Sequence, residues 1–266
     1  MKKRYDAYSN YYYHYKQKGK VKSKILAILF CLISIFIVIF FSISFSNFLT
    51  ISKIVNINTN YIYENKVLYG LSLYQTNKID DANTFSVDVK KQGGAGYIYL
   101  DNMTYYVLSS VYKTNQDAQK VKDNLESNGF TTSVVKIELK NINFKANLSQ
   151  KSSKVLGESL NLFYENYVSL YNLSVEYDKQ NIDIIKVKEK YNNLASSNAK
   201  KIETFNNYFN SSTNVYILYV KIYLNKLNNI IKNGVNLDES VNVSSFIKDS
   251  YCKCLKEYIN LYNDML

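Results

Sequence analysis

Imidazole and thiol groups, the usual carriers of metal and nucleophilic chemistry, are scarce in this 266-residue chain: one histidine, His14, and three cysteines, Cys31, Cys252 and Cys254. A zinc site needs several such ligands brought together, and His14 stands alone in a lysine-rich stretch. Cys252 and Cys254, two apart, would point about 200° from each other on a helix. They are no helical metal pair, and Cys254 is read as core. An odd cysteine count, with Cys31 inside an apolar run, excludes a disulfide framework. Gly93-Gly94-Ala95-Gly96 follows a helical pattern instead of separating a strand from a helix, and no Lys-Ser/Thr succeeds it. It is read as a helix cap, not a phosphate loop. With no carboxylate pair and no nucleophile–base set, the expectation is a non-enzyme without cofactor or metal.

Tyrosine is the abundant chemistry, at 27 residues. Tyr97, Tyr99 and Tyr106 fall with Ser72, Leu108 and Ser110 on alternating positions of three strand-like segments, which sends them to one face. Rings bordered by small hydroxyls suit a sugar chain, because pyranose C–H faces lie flat on aromatic rings while hydroxyls bond at the rim. These six residues are the candidate glycan-binding set. The competing reading is a tyrosine-rich surface inherited from a composition that lacks proline and tryptophan altogether.

The elements that would position this set come from a duplication. Tyr69 to Ala82 runs beside Tyr106 to Ala118, each half a strand followed by a Thr-Asn turn and an amphipathic helix. The first helix covers about 79–92 and buries Ala82, Phe85 and Val89; the second covers about 115–128 and buries Ala118, Val121 and Leu125. Asn77 and Thr114/Asn115 are the expected caps. Gly93-Gly94 and Asn128-Gly129 end the two helices. Strands follow at 96–100 and 132–139, with Asp101-Asn102 as a hairpin turn. The order is β-α-β-β-α-β, an α+β ferredoxin-like arrangement with both helices on one sheet face and the other face open.

Gln92 to Tyr99, Tyr105 to Tyr112 and Asp117-Ala118, within residues about 66–139, resemble a SPOR (sporulation-related repeat) domain of clostridial type. That resemblance implies a ferredoxin-like fold and binding of peptidoglycan glycan strands stripped of their stem peptides. The Gln-x-Gly-Ser-Phe pattern common on the family's first strand is replaced here by Ser72-Leu73-Tyr74.

Ile25 to Phe45 contains no charged residue. At about 1.5 Å per residue it would span roughly 30 Å, a bilayer's hydrocarbon core, so residues 25–48 are read as a single transmembrane helix. Residues 1–24 carry eight Lys/Arg against Asp6 alone, a basic, tyrosine-rich tail. Positive charge before the span and little after it keeps the N-terminus cytoplasmic and makes residues 52–266 extracytoplasmic. The tail would rest on anionic headgroups of the bilayer or stack on bases. The formal net charge of +11 is thus concentrated in the tail, whereas residues 52–138 hold nine charges of each sign. A nucleic-acid partner needs a clustered basic face and is not expected.

Beyond a linker at 49–65 and the 66–139 domain, residues 140–266 show long 3.6-residue periodicity. The helical stripes are Leu156 to Leu170, Ile184 to Phe205, Val220 to Ile231 and Ile247 to Leu261, with breaks near Gln180-Asn181, Asn210 to Ser212 and Asn233-Gly234. Four helices on short connections suggest an up-down bundle or a coiled-coil pair with another subunit. Two functions follow as expectations: a single-pass cell-membrane protein binding peptidoglycan through 66–139 in division or sporulation, or an envelope scaffold whose bundle, 148–266, binds other proteins without glycan.

Overall fold

The computed structural model describes residues 65–142, 148–238 and 240–266. The tail and the segment 25–48 lie outside the described residues. Among those described, no helix is long and apolar enough to cross a membrane.

The chain runs β1 (Lys66–Thr76), α1 (Ile79–Lys91), β2 (Tyr97–Asp101), β3 (Thr104–Tyr112), α2 (Asn115–Ser127) and β4 (Ser133–Leu139). Four long helices follow: α3 (Gln150–Asp178), α4 (Ile184–Tyr208), α5 (Val215–Val235) and α6 (Val243–Asp264). The strands form one antiparallel sheet in the order β2-β3-β1-β4. Local chemistry sets the ends. Asn102 and Met103 both take positive φ in the two-residue β2–β3 hairpin, the twist such loops require. Asp80 and Asp81 open α1 and Lys90 and Lys91 close it, matching the helix dipole. Thr114 caps α2 by accepting from the Asp117 N–H at 3.1 Å. The Asn77 cap is replaced by Lys78, whose side chain makes no capping bond. The long helices start at Ser149, Asp183, Asn214 and Asn242, each accepting first-turn N–H groups through its side chain.

The expected architecture needs correcting. The β-α-β-β-α-β order holds, but the sheet is not a separate SPOR-type domain with a free face beside an independent bundle: it is a curled half-barrel whose second face is filled by the helical half. One side of the sheet carries α1 and α2 over a small core of Ala82, Val89 and Val107 with Ile98 and Leu73 packed around it. The other side contributes Leu68, Leu108, Val135, Ile137 and Leu139 to a continuous core with Leu156, Phe163 and Tyr167 of α3 and Tyr251 and Tyr258 of α6. Residues Asn56–Leu266 are accordingly one compact unit. The break expected near Asn233-Gly234 falls just beyond it, where α5 ends at Val235. Gly234 lies against the Tyr191 ring, where a Cβ would sit 2.2 Å from Cδ1.

Candidate binding surfaces

Alternation along the strands placed Tyr97, Tyr99 and Tyr106 on the face away from α1 and α2, and there they lie. That face is covered, not open: all three rings are half-buried against the bundle core. Leu108 and Ser110 are buried under the same helices. The physical reason is apolar content on both faces. Leu68, Leu108, Val135, Ile137 and Leu139 would together expose a broad aliphatic patch, and α3 and α6 remove it from water. On β4 the signal was visible as Val135, Ile137 and Leu139 alternating with Lys136 and Glu138.

The junction is also bonded. The Tyr251 hydroxyl lies 2.7 Å from Ser110 Oγ and accepts from the Val111 N–H at 3.4 Å. The Tyr167 hydroxyl donates to the Val111 carbonyl at 3.3 Å, and that of Tyr258 to the Lys140 carbonyl at 2.7 Å. Tyr251 is fully buried, and burial foremost, with Cys252 next, pushes its phenol well above 10. Burial likewise pushes Tyr112 up to about 12 and raises Tyr97 and Tyr167.

Ser72 is buried and its hydroxyl is used locally. Register shifts between Leu71 and Ser72 and between Ser72 and Tyr74 mark a bulged stretch of β1, and the Ser72 hydroxyl donates within it, 2.6 Å from the Tyr74 carbonyl. The shift also turns Tyr74 toward the helix layer, where it stacks on Phe85 at 3.9 Å between centroids.

The glycine run behaves as a cap and as something more. Gly93 takes φ of +85° and its N–H reaches the Lys90 carbonyl at 3.1 Å, ending α1. Its own carbonyl then accepts from Ser244 Oγ at 3.2 Å and Lys248 Nζ at 3.0 Å, and Asn242 Nδ2 donates to the Lys91 carbonyl at 3.3 Å. Lys248 is paired with Asp178 at 2.8 Å. The first turns of α6 are thus fixed to the end of α1, a contact no sequence periodicity announced.

One recess of about 410 Å³ remains open on the covered side, lined by Tyr99 and Asp101 of β2, Lys136 and Glu138 of β4, Lys140, and Tyr258 and Tyr262 of α6. Both outer strands reach the same helix here, as the curl of the sheet demands. Lys136 and Glu138 form an ion pair at 2.5 Å, which raises the lysine and lowers the carboxylate through their mutual hydrogen bond. Tyr99 is raised by burial, then by Asp101 and Glu138. Lys140 Nζ stands 5.8 Å from the Tyr262 ring centroid. Rings with a charged rim can hold a short sugar segment, but of the six candidate residues the recess contains Tyr99 alone.

Among the described residues no group of three or more His, Cys, Asp or Glu is placed to hold a metal ion. Cys252 and Cys254 are free and buried, and burial raises both thiols, which keeps them protonated. His14 and Cys31 lie outside the described residues. No family model matches the chain, and neither does any curated protein or solved structure.

Proposed function

We propose that this chain is a single-pass, membrane-anchored scaffold of the cell envelope, without catalysis, whose folded unit, 56–266, is extracytoplasmic and presents its helical half to partners. The observation that carries the reading is the shared core. With α3 and α6 seated on the sheet, the aromatic face is packed and not free, and in this reading recognition falls to the exposed surface of the bundle. The anchor and orientation rest on the apolar run 25–45 and the lysines before it.

A second reading, peptidoglycan glycan binding, is favoured by the Tyr99 recess. One experiment separates the two. The 56–266 unit, which has its own core, is incubated with amidase-treated sacculi, and photo-crosslinkers are placed in the full-length protein in cells at exposed bundle positions and at Tyr262. The scaffold reading expects the unit to stay in the supernatant and discrete protein adducts from the bundle positions. Retention on sacculi that Tyr99→Ala/Tyr262→Ala abolishes would instead establish glycan binding at the recess and overturn the scaffold reading.

A further inference from the structure

The bundle is polarised in charge and in exposure. Its inner pair, α3 and α6, covers the sheet and carries five lysines against seven acidic residues. The outer pair reverses this: α4 has five lysines and two glutamates, and α5 has three lysines and no acidic residue at all. Some of this charge is neutralised, by Lys186 on Glu189, Lys201 on Glu165 and Lys226 near Glu257. Lys190, Lys200, Lys221 and Lys232 have no ion-pair partner among the described residues.

Apolar side chains gather at one end of this basic pair. Tyr208, near the last turn of α4, is 47% exposed, and Val215, Leu218 and Ile222 of α5 are 50%, 43% and 50% exposed. The three α5 residues follow one another at three and four positions, so they form one outward stripe. Its continuation, Asn225, Asn229 and Lys232, is polar and exposed. A folded helix gains nothing from aliphatic side chains held in water. An aliphatic stripe flanked by lysines, on a helix free of carboxylates, has the make-up of a helix lying in a membrane interface.

We propose that the outer face of α4 and α5, centred on Leu218 and Ile222, docks on the anionic phospholipid surface of the membrane to which the chain is anchored. The proposal rests on the anchored, extracytoplasmic reading given above, and two arguments choose this occupant. A second copy of the same face would set lysine against lysine, whereas anionic headgroups complement it. The linker 49–65 also limits how far the body can depart. Seventeen residues reach about 60 Å at full extension, which holds the face at high effective concentration beside the bilayer. Docking lays the α4–α5 face along the surface and leaves the other exposed positions of the bundle to protein partners.

The test uses the 56–266 unit and vesicles of phosphatidylglycerol mixed with phosphatidylcholine. It is independent of the anchor, so its failure leaves the anchored-scaffold reading to the crosslinking experiment. Co-sedimentation is expected with the mixed vesicles, with little on pure phosphatidylcholine and a steep loss as salt rises. Leu218→Glu/Ile222→Glu, with helical content unchanged by circular dichroism, is expected to weaken binding at least tenfold. Lys221→Glu/Lys232→Glu, which leaves the apolar stripe intact, should cost about fivefold for each lysine. Equal binding to neutral vesicles, or binding that both variants leave unchanged, overturns the proposal. So does a concentration-dependent dimer in sedimentation equilibrium that Ile222→Glu dissolves, since the face would then be self-complementary.

Discussion

Tyr251→Phe tests whether the sheet and the bundle are one cooperative body. The substitution keeps the ring, which packs edge-on against Tyr167 at 5.7 Å, and removes the hydroxyl that meets Ser110 Oγ at 2.7 Å and the Val111 N–H at 3.4 Å. Tyr251 is wholly buried and Ser110 nearly so, so water cannot replace the lost partner. Leaving buried polar groups unsatisfied costs about 1–3 kcal/mol. In a unit of this length each kcal/mol moves Tm by about 2–4 °C, so a fall of roughly 4–8 °C is expected for a mid-range loss. Ser110→Ala should cost a similar amount, and the double variant less than the sum, with a coupling of about 1 kcal/mol. Urea unfolding of 56–266 should be followed by far-ultraviolet circular dichroism, which reports mainly the helices, and by tyrosine fluorescence, which also reports the sheet. The two curves should coincide in the parent and in Tyr251→Phe, the variant midpoint lying lower at unchanged slope. Two separate transitions, or a Tyr251→Phe protein as stable as the parent, would refute the shared-core argument and make the sheet and the bundle neighbours only.

Gly234→Ala should destabilise by about 1–3 kcal/mol in the same assay, because its Cβ would lie 2.2 Å from Cδ1 of Tyr191, itself fully buried; a neutral result would mean α4 and α5 can separate without loss. Asn166 and Asn198 exchange buried amide hydrogen bonds between α3 and α4 at 3.2 and 3.0 Å, so Asn198→Leu alone should cost about 1–3 kcal/mol while Asn166→Leu/Asn198→Leu recovers much of it, read by denaturant midpoints. Stability should fall with rising pH in the alkaline range. Tyr251, Tyr97 and Tyr112 have folded values raised above the unfolded value near 10. The protonated phenols therefore contribute fully below pH 10, and that contribution is lost as pH rises through the folded values, about 12 for Tyr112. Thermal melts across pH 9 to 12, approximately, check the sign, and Tyr251→Phe should flatten the slope.

Much of the secondary structure was legible because its signals are local. Period-two and period-3.6 patterns, cap residues and the paired glycines place the four strands and the two short helices close to their ends, while the four apolar stripes lie inside α3 to α6, Leu156 to Leu170 well within Gln150–Asp178. The face of each strand was legible too, since alternation put Tyr97 and Tyr106 opposite Ile98 and Val107. What alternation cannot say is whether a second layer covers that face, because tyrosine serves a core and a ligand surface equally well. Leu68, Val135, Ile137 and Leu139 carried that information, but only when counted as a patch across strands not yet paired. The bulge around Ser72, which pairs with Leu108, is a change in register that no residue type announces. Gly234 marked the end of α5 to within two residues, but its close approach to Tyr191 was not legible, since nothing local to a glycine names the ring that faces it. The Lys248 contact to Gly93 joins residues far apart in sequence, beyond the reach of any periodic signal.

The bond between Ser110 and Tyr251 spans 141 residues of chain. Every strand is made before α6 begins, so a chain emerging N-terminus first must carry an unfinished sheet, aliphatic on its bare side, until Val243–Asp264 has arrived. Closing so long a loop is slow, and exposed aliphatic surface invites aggregation in the interval. A stop codon or a protease cut before α6 would therefore not yield a smaller working protein. It would leave the strands covered by α3 alone, so the sheet depends on a helix that is made long after it.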